Sequence, residues 1–99
     1  MTTINIKSVH GEFELIKGLL SDGIREERKK IEYALNLSDD VIKKFEYKYG
    51  ISSSSFLEKF KTGNIDENEE TFQWWAEVKL ANELREKLKA LTEIEICQQ

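Results

Sequence analysis

Few residues in this 99-residue chain have types and spacings that could do chemistry. His10 is the single histidine and Cys97 the single cysteine. Neither a His-based metal site nor a Ser/His/Asp triad can therefore be assembled. His10, beside Gly11 near the N-terminus, reads as a solvated loop residue, and Cys97 has no neighbouring base or thiol. Ser52 to Ser55 lack the glycine framework of a phosphate-binding loop and suit helix capping instead. Carboxylates are abundant, but their helical spacing is that of solvated faces. The expectation is a protein that is not an enzyme and uses no cofactor and no metal.

Residues suited to recognition are more numerous. Phe72, Trp74 and Trp75 fall within four positions, and adjacent Trp74 and Trp75 diverge by about 100° on a helix. One of them can enter a core while the other stays at least partly outside it. Exposed aromatics of this kind are typical interface anchors. Residues 64–99 carry nine acidic and four basic residues, a net of −5, whereas residues 1–21 and 22–49 each balance to zero. Glu77, Glu83 and Glu86 place that acidity on the segment that bears the tryptophans. The candidate partner-binding set is thus Phe72, Trp74, Trp75, Glu77, Glu83 and Glu86.

A nucleic-acid contact is the second candidate. Thr2 to Lys7 alternates polar and β-branched residues like a short strand. No second alternating run exists to pair with it, so it either frays or pairs with another chain. A strand ahead of two helices is similar to the ribbon-helix-helix DNA binders, in which Thr3, Asn5 and Lys7 would face the major groove. The basic residues Arg25, Arg28, Lys29 and Lys30 are interleaved with Glu26, Glu27 and Glu32, which favours a neutral mixed-charge face over a phosphate-binding one. Nucleic-acid binding is possible but not favoured.

The elements that would position these residues follow from punctuation and periodicity. The chain has no proline and five glycines, which points to long helices rather than a turn-rich sandwich or barrel. Val9 to Leu20 suggests a short helix, with a break at Ser21-Asp22-Gly23. Ile24, Arg28, Ile31, Leu35, Ser38, Ile42, Phe45 and Tyr49 then alternate four and three apart, a single heptad stripe. Their common phase predicts one helix over 24–49, in preference to a break at Asn36 with Ser38 as a new N-cap. Arg28 and Ser38 interrupt the apolar seam and are placed to set its register.

Gly50 stops that helix, Ser52 to Ser55 open a short one carrying Phe56, Leu57 and Phe60, and Thr62-Gly63 close it. Asp66 with Glu69 resembles a capping box ahead of a last helix from about Glu67 to Thr92, leaving the C-terminal I-E-I-C-Q-Q to fray or pair as a strand. The predicted fold is mainly α. Two long helices joined by a short one form an antiparallel helical hairpin, preceded by a short N-terminal strand or extended arm. Residues 1–21 form the arm and 22–99 the hairpin, within a single domain. No run of apolar residues is long enough to cross a membrane. The absence of a secretory pattern after Met1 and the lone cysteine suggest a cytoplasmic location.

Phe45-Glu46-Tyr47-Lys48-Tyr49-Gly50-Ile51-Ser52-Ser53, followed by Phe56-Leu57-Glu58-Lys59-Phe60, resembles a motif of small prokaryotic antitoxin-like proteins. Their pattern, F-E-x-K-Y-G-x-S-S with two later phenylalanines, continues through a glycine-containing acidic linker to F-x-W. Gly63-Asn64-Ile65-Asp66 and Phe72-Gln73-Trp74-Trp75 are similar to those parts. The resemblance covers about residues 30–90, and Ser54-Ser55 depart from it where acidic residues are expected. It implies the antitoxin half of a two-gene toxin–antitoxin module, with a cognate toxin as partner in a homo- or hetero-oligomer. The leading expectation is a non-enzymatic protein-binding module that neutralises a small cytoplasmic toxin. The alternatives are a DNA-binding dimeric regulator using the N-terminal strand, or a homo-oligomerising structural helical protein.

Overall fold

The computed structural model describes the backbone of residues 6–97 and the side chains of residues 10–96. Three helices follow one another, α1 (Ile6–Tyr49), α2 (Ser53–Lys61) and α3 (Glu69–Cys97). The molecule measures 70 × 22 × 21 Å. At 1.5 Å per residue α1 alone accounts for roughly 66 Å of that length. α1 and α3 pack antiparallel, so the predicted hairpin of two long helices joined by a short one is present.

The N-terminal expectations are corrected. Ile6 and Lys7, read as the end of a strand, begin α1, while residues 2–5 of that strand lie outside the described residues. No strand occurs among the described residues. The predicted break at Ser21–Gly23 is also absent, because α1 runs through it without interruption. A helical glycine costs about 1 kcal/mol relative to alanine, but it does not remove a hydrogen bond as proline does. With no proline in the chain, Gly11, Gly18 and Gly23 are carried inside the helix. Asp22 and Arg25, 3.7 Å apart, pair across Gly23. His10 is therefore an exposed helical residue and not a loop residue.

The heptad stripe packs as its phase requires. Ile31, Ser38 and Ile42 are buried, and Ile24, Arg28, Leu35, Phe45 and Tyr49 are half-buried. Trp74, Val78, Ala81 and Leu84 of α3 are buried, most of them against that stripe. Both polar positions in the seam find partners on α3. Ser38 Oγ lies 2.7 Å from Glu77 Oε2, and Arg28 donates to Glu95 Oε2 at 2.8 Å.

Glycine and capping chemistry builds the turn end. Gly50 and Gly63 have φ of +67° and +74°, the left-handed region that suits glycine. Beyond α2, Asn64 N–H donates to the Lys59 carbonyl at 2.7 Å and Gly63 N–H to that of Phe60 at 3.4 Å, which is a Schellman ending. Ser52 caps the start of α2, its hydroxyl accepting from Ser55 N–H at 3.2 Å.

α3 opens differently from expectation. Its cap is Asn68 and not Asp66. Asn68 Oδ1 accepts from Thr71 N–H at 2.9 Å, and Thr71 Oγ1 accepts from Asn68 N–H at 2.9 Å. Thr71 Oγ1 then donates to the Asp66 carbonyl at 2.8 Å. Asp66 thus contributes its backbone, and a buried threonine replaces Glu69 as the reciprocal partner. At its far end α3 continues past Thr92 to Cys97, where a frayed or strand-like tail was expected. Leu88, Leu91 and Glu95 keep facing α1 at helical spacing, and the Arg28 ion pair holds that last turn.

Candidate protein-binding face

Trp74 organises the aromatic end of the hairpin. Its side chain is fully buried. It stacks on Phe56 with ring centroids 3.8 Å apart, and Phe45 and Tyr49 lie at 5.7 and 5.3 Å. Its indole Nε1 donates to Ser53 Oγ at 3.0 Å, which satisfies the one polar atom that burial would otherwise strand. As one of two candidate anchors, Trp74 is thus corrected to a core residue, out of a partner's reach in the folded chain.

Trp75, one residue on, faces outward and remains 39% exposed, and Phe72, three residues before it, is 50% exposed. Phe60 of α2 touches both. It meets Phe72 edge-on at 5.4 Å and Trp75 in a stacked arrangement at 6.4 Å. Lys79 Nζ sits 5.2 Å from the Trp75 ring centroid, within cation–π range. Phe72, Trp75, Lys79, Glu83 and Glu86 are spaced three, four, four and three apart, which places them along one outward stripe of α3. Glu83 and Glu86 are exposed. The result is a shallow aromatic patch braced from below by Phe60 and bordered by carboxylates.

Glu77 does not belong to this stripe. It is half-buried and engaged by Ser38 across the seam, which sets it apart from the outward residues of the expected partner-binding set. Phe60 and Lys79 are the residues sequence reasoning missed here. Phe60 is expected from the sequence only as an apolar residue of the short helix, although its position two residues from a helix-ending Thr62-Gly63 brings it next to α3.

For nucleic acid, Thr3 and Asn5 lie outside the described residues and Lys7 is in the first turn of α1. In the basic run, Arg28 is turned to Glu95, Arg25 to Asp22 and Lys29 to Glu26. Three of its four cations are thus occupied within the chain.

A polar cleft of about 400 Å³ lies where α1, α2 and α3 meet, lined by Asp39, Lys43, Glu46, Ser53, Asn82 and Arg85 among others. Three of its four charged groups already serve the fold. Arg85 pairs with Asp39 at 2.8 Å, and Glu46 accepts from Ser53 N–H at 2.8 Å at the start of α2. At the turn end, Lys48 lies 2.6 Å from Glu70. The hydrogen bond and charge of that carboxylate hold the lysine above its ordinary value of 10.5.

Comparison with protein-family models, with curated proteins and with solved structures returns no match, so the reading below rests on this face and on the sequence motif.

Proposed function

We propose that this chain is a non-enzymatic protein-binding module, an antitoxin-like protein that neutralises a small basic cytoplasmic toxin through the outward face of α3. The observation that carries the reading is the pair Phe72 and Trp75. Both are half-exposed, both are held in place by Phe60, and both lie on one stripe with Glu83 and Glu86. A rigid tryptophan beside a second aromatic, bordered by carboxylates, suits an apolar pocket rimmed by cations. Toxins that act on nucleic acid carry such cations on their working surface. The hairpin would then inhibit by covering that surface, with the acidic α3 in the place of the phosphates. The motif from Phe45 to Phe60 supports the same reading, since it builds the turn end on which the patch rests.

The test is genetic and physical. The reading expects an adjacent open reading frame whose product arrests growth when expressed alone and is neutralised by this chain. Phe72→Ala combined with Trp75→Ala should abolish neutralisation and complex formation while leaving the helical signal and melting temperature of the free protein close to wild type. A neighbouring product that is harmless alone, or a double variant that neutralises normally, overturns the proposal.

A further inference from the structure

The longest exposed apolar face lies elsewhere. Residues 10–20 of α1 are all exposed, and among them Phe13, Leu15, Ile16, Leu19 and Leu20 show 55% to 65% of their surface. The cause is a mismatch of lengths. α1 has 44 residues and α3 has 29. Arg28 already meets Glu95, two residues before α3 stops at Cys97. Beyond about Ile24 the seam therefore has no second helix. The stripe itself does not stop there. Phe13, Ile16 and Leu20 continue it into Ile24 and Arg28 at spacings of three, four, four and four, one residue more than the strict heptad repeat.

We infer that a second copy of this chain fills this gap, with the two α1 arms paired antiparallel about a two-fold axis. Direction and register follow from where α3 ends. An antiparallel partner arm runs along the α1 seam in the same direction as α3 and takes up its line where α3 leaves off. With Phe13 of each copy level with Ile16 of the other, the partner's α1 begins just past the end of α3. A register shifted by one heptad would overlap α3. The C-terminus of α3 then points at the N-terminus of the partner's α1, the favourable alignment of helix dipoles.

Area and charge support the same occupant. Each of the five side chains exposes on the order of 100 Å² of apolar surface. Leu15 lies about 160° round the helix from Phe13, so the four that share a face, Phe13, Ile16, Leu19 and Leu20, supply roughly 800 Å² over two arms, the small end of the range for specific interfaces. Residues 10–20 carry only Glu12, Glu14 and Lys17 as fixed charges, so two copies repel weakly. The antiparallel arrangement also sends the two acidic α3 segments, each within a region of net −5, toward opposite ends. A parallel pair would set them side by side.

The test uses the full-length chain alone, and it is independent of any toxin. Sedimentation equilibrium at micromolar to hundred-micromolar concentrations should show a dimer. Small-angle scattering should give a maximum dimension of roughly 110 Å, the length of two chains overlapped along their arms at 1.5 Å per residue. Phe13→Glu combined with Ile16→Glu should raise the dimer dissociation constant at least 100-fold and leave hairpin melting in place. Phe13→Leu combined with Ile16→Leu should keep the dimer, which separates loss of the interface from loss of the arm helix. A monomer throughout that range, a dimer near the 70 Å length of one chain, or a dimer that survives the glutamates overturns the inference. So does an arm that associates only with a different protein.

Discussion

Ser38 and Glu77 are joined across the middle of the α1–α3 seam, the serine hydroxyl 2.7 Å from Glu77 Oε2 and 3.1 Å from the Glu77 carbonyl oxygen. The serine is buried and the glutamate half-buried. Leu35 and Ile42 flank the pair along the stripe, so sliding either helix by one turn would set a carboxylate against leucine or isoleucine. The bond therefore specifies register more than it adds stability. Ser38→Ala should lower stability by about 1–3 kcal/mol, because it leaves the carboxylate without its partner. Adding Glu77→Leu should recover part of that loss, as urea unfolding of the two variants will show. Additive losses in the double variant would mean that the two side chains do not act together.

The two adjacent tryptophans should separate cleanly. Trp74→Ala removes a fully buried ring that packs on Phe45, Tyr49 and Phe56. It should cost about 3–5 kcal/mol. Trp75→Ala removes a half-exposed ring stacked on one neighbour and should cost about 1 kcal/mol or less. Denaturant midpoints of the two variants give the comparison, and equal losses would contradict the placement of Trp75 outside the core.

Glycines of the same type should respond with opposite signs. Gly50→Ala and Gly63→Ala force alanine into positive φ and should each cost about 1–2 kcal/mol. Gly18→Ala meets open space in the middle of α1 and should add about 0.5–1 kcal/mol of helix stability. Thermal unfolding followed by circular dichroism reads both, and the Gly18 gain should appear in the fraying of the arm.

The Lys48–Glu70 pair predicts an alkaline effect. The folded state holds this lysine above its ordinary value, so its contribution is fully present below pH 10.5 and fades as pH rises through the raised folded value. Both chains should unfold in strong alkali, but Lys48→Met should lose less stability between neutral pH and pH 11 than wild type does. The pair is solvent-exposed on the lysine side, so the difference should shrink in high salt.

Much of the hairpin was legible in the residues because its signals are local. The stripe from Ile24 to Tyr49 keeps one phase over 26 residues, and a helix is the one regular structure that puts such positions on a single face. Gly50 and Gly63 marked the stops because a left-handed residue ends a helix wherever it occurs. The split between Trp74 and Trp75 followed from helical geometry alone. Misreadings arose where local preference and cooperative structure compete. Ser21–Gly23 reads as a break by propensity, yet α1 propagates through it. Asp66 reads as a cap, yet Asn68 is the residue whose side chain reaches the Thr71 N–H.

By itself the sequence determined the helical class, the two stops and the seam of α1, all of which depend on residue type and spacing. Only the tertiary structure decided which tryptophan is core, that Glu77 bonds Ser38 across the seam, and that Phe60 braces Phe72 and Trp75. It also decided that α1 outruns α3 and leaves the face around Phe13 and Ile16 uncovered. These outcomes depend on how two helices far apart in sequence align along their axes, and no local pattern encodes that alignment.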